Sequence, residues 1–218
     1  MMSILAIDIG GSHVKCATSN SRRRARFRSG PELTAAAMVK GVRKLTEGWR
    51  FDRVAIGYPG PVRGGKPVQE PHNLGPGWVG FDFAASFGRP VRLINDAAMQ
   101  ALGDYQGGKM LFLGLGTGLG SALIVDGTIV PLELGHLHFA NGHDYEHYLG
   151  DRGRRRLGNK RWRDRVLEIV EDFRGAFQPD YVVLGGGNAV RLKRLPRHTR
   201  RGKNANAFLG GFRLWEAG

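Results

Sequence analysis

Cysteine is nearly absent from this 218-residue chain, where Cys16 stands alone. One thiol cannot close an intrachain disulfide or build a zinc site from several thiolates. A reducing cytosol is the expected setting. Long apolar runs are missing too, and none approaches the roughly 20 residues of a transmembrane helix. The N-terminus has no basic leader, and Asp8 interrupts its apolar run, so it does not read as a signal peptide. Acidic residues are scarce beside basic ones: 19 Asp and Glu face 33 Lys and Arg, leaving a formal charge of +14. That imbalance points to an anionic partner. What is present excludes other classes. With 41% hydrophobic residues the chain is neither a disordered tail nor a collagen-like repeat. Its 34 glycines imply tight turns or close backbone approach to a ligand.

The positive charge is local. Residues 150–218 hold 17 Lys and Arg against 7 acids, whereas residues 104–149 hold one Lys against five acids. The excess falls in three runs: Arg22 to Arg28, Arg152 to Arg165, and Arg191 to Lys203. Arg24, Arg26 and Arg28 alternate with Ala25 and Phe27, a period of two that describes a strand with one arginine-lined face. A single basic run is compatible with a solvated surface. Three of them favour a long polyanion or a nucleic acid.

Apolar patterning predicts strands over residues 3–9, 13–18, 53–56, 91–94, 110–115, 121–125 and 181–184. It predicts helices over 33–49, from Asn95–Asp96 through about Tyr105, over 160–177, and from about Ala205 to Trp215, with a short basic helix after Gly187. Residues 62–80, rich in Gly and Pro, read as a long functional loop. Strands alternating with helices imply an α/β fold of two lobes around a cleft. The expected lobes are 1–106 and 107–218, hinged at Gly107–Gly108, with the last helix a candidate to pack back on the first lobe.

Three glycine-rich segments follow strands. In Asp8-Ile9-Gly10-Gly11-Ser12-His13-Val14-Lys15, glycine amides can close around phosphate oxygens, Asp8 can hold Mg²⁺, and Lys15 adds positive charge. The segment Gly114 to Ser121 resembles a dinucleotide fingerprint, but the apolar run Ala122–Val125 that follows reads as a strand, so a hairpin loop over a phosphate is expected instead. Gly185-Gly186-Gly187 leads from a strand towards a helix and can receive a donor phosphate on its amides. Each also reads as ordinary turn glycines. Asn95–Asp96 lies at a strand–helix junction, where both residues suit an N-cap and Asp96 also suits a general base. Glu133, His136, Asp144 and Glu146 offer groups for a polyol. His136, His138, His143 and His147 also raise an all-histidine metal site, although clustered loop histidines are common.

In order along the chain, DIGGSHVK (8–15), YPGPV (58–62), NLGPGW (73–78), INDAAMQA (94–101), LGLGTGLGSALIVDG (113–127), ELGH (133–136), GHDYE (142–146) and LGGG (184–187) resemble the ROK family of sugar kinases, most of all its polyphosphate glucokinases. The resemblance implies an actin-like (ribonuclease H-like), two-lobed α/β fold that closes on its sugar. It implies Asp96 as catalytic base, with Gly60, Asn95, Asp96, Glu133, His136 and Glu146 binding the sugar. Asp8 would serve Mg²⁺. The donor would meet Gly10, Gly11, Ser12, Lys15, Gly116, Thr117, Gly118, Gly186 and Gly187. Arg200, Arg201 and Lys203, downstream of the third glycine turn, are expected to extend that site towards a polyanionic donor. The family's cysteine-rich zinc motif is missing, so no zinc is expected. The implied reaction is phosphoryl transfer from inorganic polyphosphate or ATP to the 6-hydroxyl of glucose, by a cytoplasmic homodimer with no membrane partner and with nucleic acid disfavoured. An ATP-dependent hexose or amino-sugar kinase stays open at this point. So does a non-catalytic sugar-sensing or polyanion-binding relative.

Overall fold

The computed structural model describes residues 2–216, which form two compact units: residues 2–103 with 207–216, and Asp104–Asn206. Among the described residues no helix is long and apolar enough to cross a membrane. The expected boundary lay after residue 106; the division falls earlier, between Gly103 and Asp104. Gly107 and Gly108 do adopt positive φ, at 102° and 65°. Both lie inside the second unit, where the Gly108 carbonyl accepts from the Tyr105 hydroxyl at 2.9 Å.

The first unit contains β1 (Ile4–Ile9), β2 (His13–Thr18), β3 (Arg24–Arg28), α1 (Ala35–Leu45), β4 (Arg53–Tyr58), β5 (Val62–Arg63), β6 (Lys66–Pro67), α2 (Phe83–Phe87), β7 (Val91–Asn95) and most of α3 (Asp96–Asp104). Its sheet runs β3-β2-β1-β4-β7, antiparallel through β3, β2 and β1 and parallel through β1, β4 and β7. Period-two alternation sorts the side chains by face. Leu5, Ile7, Ile9, Val14 and Cys16 enter the core that α1 covers with Met38, Val39 and Val42. Thr34 starts α1 by accepting the Ala37 amide. The long loop expected after residue 62 is more ordered than its composition suggests. Gly64 and Gly65, both at positive φ, turn the β5–β6 hairpin, as a two-residue hairpin loop requires. Further on, both oxygens of Glu70 accept the Trp78 amide, at 3.2 and 3.1 Å.

The second unit holds β8 (Lys109–Leu115), β9 (Leu119–Val125), β10 (Thr128–Leu132), β11 (His138–Ala140), β12 (His143–Asp144), α4 (Tyr145–Leu149), α5 (Asp151–Phe177), β13 (Tyr181–Gly185) and β14 (Thr199–Arg201). Its sheet order, β10-β9-β8-β13-β14, repeats the first unit's plan of an antiparallel three-strand meander continued by two parallel strands. The helix expected over 160–177 begins earlier, at Asp151, and breaks at Gly158, whose φ of 75° and ψ of 156° leave the helical region. Trp162, Val166, Ile169, Val170 and Phe173 are buried on its inner face. The short basic helix expected after Gly187 is a single 3₁₀ turn, Ala189–Arg191. From the second unit the chain enters α6 (Asn206–Arg213), whose Phe208 packs on Ala6 and Ala17 in the first unit. Gly211 allows that approach, because a Cβ there would lie 2.8 Å from the Ala6 Cβ.

Candidate active site

In the first unit the β1–β2 turn is a tight one: the Gly10 amide donates to His13 O at 3.0 Å. Ser29, just past β3, clamps the turn from outside. Its hydroxyl donates to Gly10 O at 2.6 Å and its amide to Ser12 O at 3.1 Å. Gly11 faces the 62–80 segment, and a Cβ on it would meet the Asn73 Cβ at 3.7 Å. Asp8, at the end of β1, is paired with Lys15 across the sheet, Nζ to Oδ2 at 2.9 Å. The same carboxylate, with burial as the larger cause, pushes the Cys16 thiol up to about 12.

The β7–α3 junction resolves the ambiguity over its two polar residues. Asn95, 7% exposed, is the cap: its Oδ1 accepts the Ala98 amide at 3.1 Å while its Nδ2 donates to Gly60 O at 3.2 Å. Asp96 instead occupies the first turn of α3, half-buried, accepting the Ala97 amide at 2.8 Å. Asn95 and Asp96 thus each accept one first-turn amide of α3, with Asn95 in the capping position. Gly57 lets α3 approach β4, since a Cβ there would lie 2.5 Å from Met99 Cε and 3.3 Å from Asp96 Cα. Gly60 sits under the Tyr58 ring, and the Tyr58 hydroxyl donates to Gln69 O at 2.7 Å. Asn95, Asp96 and Gly60 are thus held as one group.

In the second unit the second and third glycine segments are joined. Asp151 donates its amide to Gly116 O and Thr117 O, both at 3.1 Å, and Asn188 donates its amide to Leu115 O at 2.9 Å and its Nδ2 to Gly116 O at 3.2 Å. Gly186, at φ 80°, lies so close to β8 that a Cβ would meet the Leu115 backbone at 2.4 Å. Arg154 bonds Asp151 Oδ1 at 3.0 and 2.8 Å and holds its carboxyl below the usual range, with Arg155 and Asn188 adding to the effect. Neither Asp151 nor Asn188 was expected from the sequence to support these loops.

Beside the second loop stands Glu146, on α4, accepting the Leu119 amide at 3.1 Å. A Cβ on Gly118 would displace the Glu146 carboxylate from this position, and a Cβ on Gly135 would lie 2.8 Å from Leu119 O, a backbone atom that cannot easily move. Glu133 precedes the 3₁₀ turn Leu134–His136 and His136 ends it, both exposed, with His136 Nε2 3.7 Å from Glu133 Oε2. Glu133, His136 and Glu146 thus lie near Gly135, whereas Asp144 caps α4 by accepting the His147 amide at 2.8 Å. His143 and His147 stack ring on ring at 3.7 Å, and burial and nearby Arg156 hold His147 below its ordinary value. Among the described residues no group of three His, Cys, Asp or Glu side chains is placed to hold a metal.

The third basic run divides in two. Arg200 lies over the Tyr181 ring, with NH1 3.5 Å from Asp104 Oδ1 and NH2 donating to Asp104 O. Arg201 donates to Leu192 O. Both arginines are thus engaged inside the unit, whereas Lys203 is exposed, with no acidic partner among the described residues.

Two repeated sheets, each with a glycine turn between its first two antiparallel strands, place the fold in the actin-like, two-lobed α/β class of the sugar kinases. The model of the ROK family matches residues 4–145, and the chain belongs to that family. It is similar to the polyphosphate glucokinase of Mycobacterium tuberculosis (strain ATCC 25177 / H37Ra), with 27% identity over 203 residues, covering 83% of this chain and 76% of that one. The N-acetylmannosamine kinase of Citrobacter koseri is 31% identical over 145 residues, 59% of this chain and 50% of that one. Among solved structures, the inorganic polyphosphate/ATP-glucomannokinase from Arthrobacter sp. strain KM superposes with a TM-score of 0.83 at 26% identity, covering 97% of each chain.

Proposed function

We propose that this ROK protein is a glucokinase that transfers a phosphoryl group from inorganic polyphosphate, with ATP as a second donor, to the 6-hydroxyl of glucose. The observation that carries the chemistry is the division of labour at the β7–α3 junction. Asn95 takes the capping position, and Asp96, in the first turn beside it and half-buried, acts as general base. Asp96 takes the proton of the sugar hydroxyl as its oxygen attacks the terminal phosphorus. The bond from that phosphorus to the bridging oxygen of the donor breaks, and the leaving chain is one phosphate shorter. Gly60, Asn95, Glu133, His136 and Glu146 hold the sugar hydroxyls.

Phosphoryl transfer asks the protein mainly for positioning and charge stabilisation. The clamped Gly10–Ser12 turn and the Gly116–Gly118 loop supply amides for donor oxygens, joined by Gly186 and Gly187. Mg²⁺ suits Asp8: the ion keeps several waters and takes one or two carboxylates along with substrate phosphates, and Asp8 is a single carboxylate already positioned by Lys15 beside the glycine turn. When bound it neutralises charge on the donor oxygens.

Polyphosphate as donor is supported by the likeness to the mycobacterial and Arthrobacter enzymes and by Lys193, Arg194, Arg197 and Lys203, cations that follow the third glycine turn. Similarity to the Citrobacter enzyme favours a second reading, an amino-sugar kinase. A coupled assay decides between them. With Mg²⁺ present, glucose should be phosphorylated from polyphosphate and from ATP. Turnover of N-acetylmannosamine with ATP alone, and none of glucose, would install the second reading.

A further inference from the structure

Beside Lys15, the first unit carries cations on β3 that the site above does not use. β3 is an edge strand, and its Arg24, Arg26 and Arg28 are exposed while Phe27 turns into the core. The register sets Arg26 opposite Lys15, Lys15 opposite Asp8, and Arg28 opposite His13. Residues directly opposite on antiparallel strands share a face. Asp8, Lys15 and Arg26 therefore make one row across the sheet, with strands about 4.8 Å apart, and His13 and Arg28 make the next row on that face.

The remaining row of this face, Ala6, Ala17 and Arg24, lies under α6, and the Arg24 guanidinium sits 5.5 Å from the Phe208 ring centroid. The helix thus covers one end of the face, and the other end is cationic. That cationic end adjoins the Gly10–Ser12 turn, and the Ser29 bonds to Gly10 and Ser12 fix the end of β3 to the turn. Among the described residues Arg26 and Arg28 form no salt bridge, and Asp8, the acid in their row, is taken by Lys15. Asp8 offsets Lys15 but leaves Arg26 and Arg28 without an acidic partner among the described residues, and a bound polyanion supplies the missing negative charge.

We infer that Lys15, Arg26 and Arg28 form a track for the inner phosphates of a long inorganic polyphosphate whose terminal phosphate lies at the Gly10–Ser12 turn, an inference that rests on the polyphosphate reading above. A repeating anion without bases suits this row. A nucleotide ends its charge after three phosphates and has no use for Arg28. An edge strand also carries charge to prevent pairing with other chains, but charge of either sign serves that purpose.

The test reverses the sign. Arg26→Glu with Arg28→Glu keeps the edge charged and removes the track. Lys40→Glu with Lys44→Glu, on the exposed face of α1, changes net charge equally and serves as control. With glucose saturating, the β3 variant should raise KM for long polyphosphate roughly tenfold or more. It should also lower the slope of log affinity against log salt by roughly one per arginine. The control should match wild type in both. Should the reversed charges unfold the strand, Arg26→Ser with Arg28→Ser carries the same expectation. Equal shifts in the β3 variant and the control, or no shift in either, would overturn the track while leaving a polyphosphate-dependent wild type as a glucokinase. A wild type that takes no phosphate from polyphosphate would remove the donor reading and the track together.

Discussion

Asn95 bonds the Gly60 carbonyl with one end of its amide, at 3.2 Å, and caps α3 with the other, at 3.1 Å. One buried side chain thereby ties the loop after β4 to the helix that carries Asp96. Replacing it with alanine should cost about 1 kcal/mol of stability, as loss of a cap does, and raise KM for glucose. Asn95→Ser keeps a cap oxygen but cannot reach Gly60. It should restore most of the stability in urea melts and leave KM raised. A serine variant with wild-type KM would show that the Gly60 bond is irrelevant to sugar binding.

Gly186 joins two constraints, a φ of 80° and a backbone contact that a Cβ would meet at 2.4 Å. Gly186→Ala should lose at least about 1–2 kcal/mol from the left-handed conformation alone. For a chain of this size the melting midpoint should fall by roughly 2–4 °C per kcal/mol. Gly187, with open space around its Cα, should accept alanine with a smaller change. Equal midpoints for the two variants would contradict the close packing of the third glycine turn on β8.

Asp151 makes stability depend on acid pH. Its carboxyl lies below the ordinary 3.8 because Arg154, then Arg155 and Asn188, favour the ionised form. The stability it adds is full above the ordinary value and disappears as pH falls through the lowered folded value. Urea unfolding followed as pH falls below the ordinary carboxylate value should therefore show a shallower acid loss in Asp151→Asn than in wild type. Superimposable acid limbs would mean that the Arg154 pair contributes nothing.

Much of this architecture is legible in the sequence, for reasons that also explain what is not. β1, β2, β4, β7, β8, β9 and β13 each bury consecutive or alternating apolar residues, and that pattern is visible without a structure. β14 is three residues, Thr199–Arg201, and its order comes from Arg200 lying on Tyr181 and bonding Asp104, contacts with residues distant in sequence. The first turns of α5 are hidden because Gly153, Gly158 and the arginines mask any apolar period. Gly153 is there because α4 leaves no room for a Cβ, which would lie 2.4 Å from His147 O. At the site, each glycine turn announced itself, whereas its supports did not. Glu70, Asp151 and Asn188 act on backbone groups several to many residues away, and single-sequence patterns do not encode such partners. The junction at Asn95–Asp96 was readable as a pair. Which residue caps required coordinates, since Asn and Asp are equally good caps.

The most direct test of the central claim compares wild type with Asp96→Asn, glucose as acceptor and polyphosphate as donor. Asparagine keeps the size of the side chain and its bond from the Ala97 amide, and Asn95 still caps the helix. Folding and glucose KM should therefore stay close to wild type, while kcat falls by roughly 10²–10⁴-fold, the usual worth of a general base. A folded Asp96→Asn variant with near-normal kcat would contradict the account.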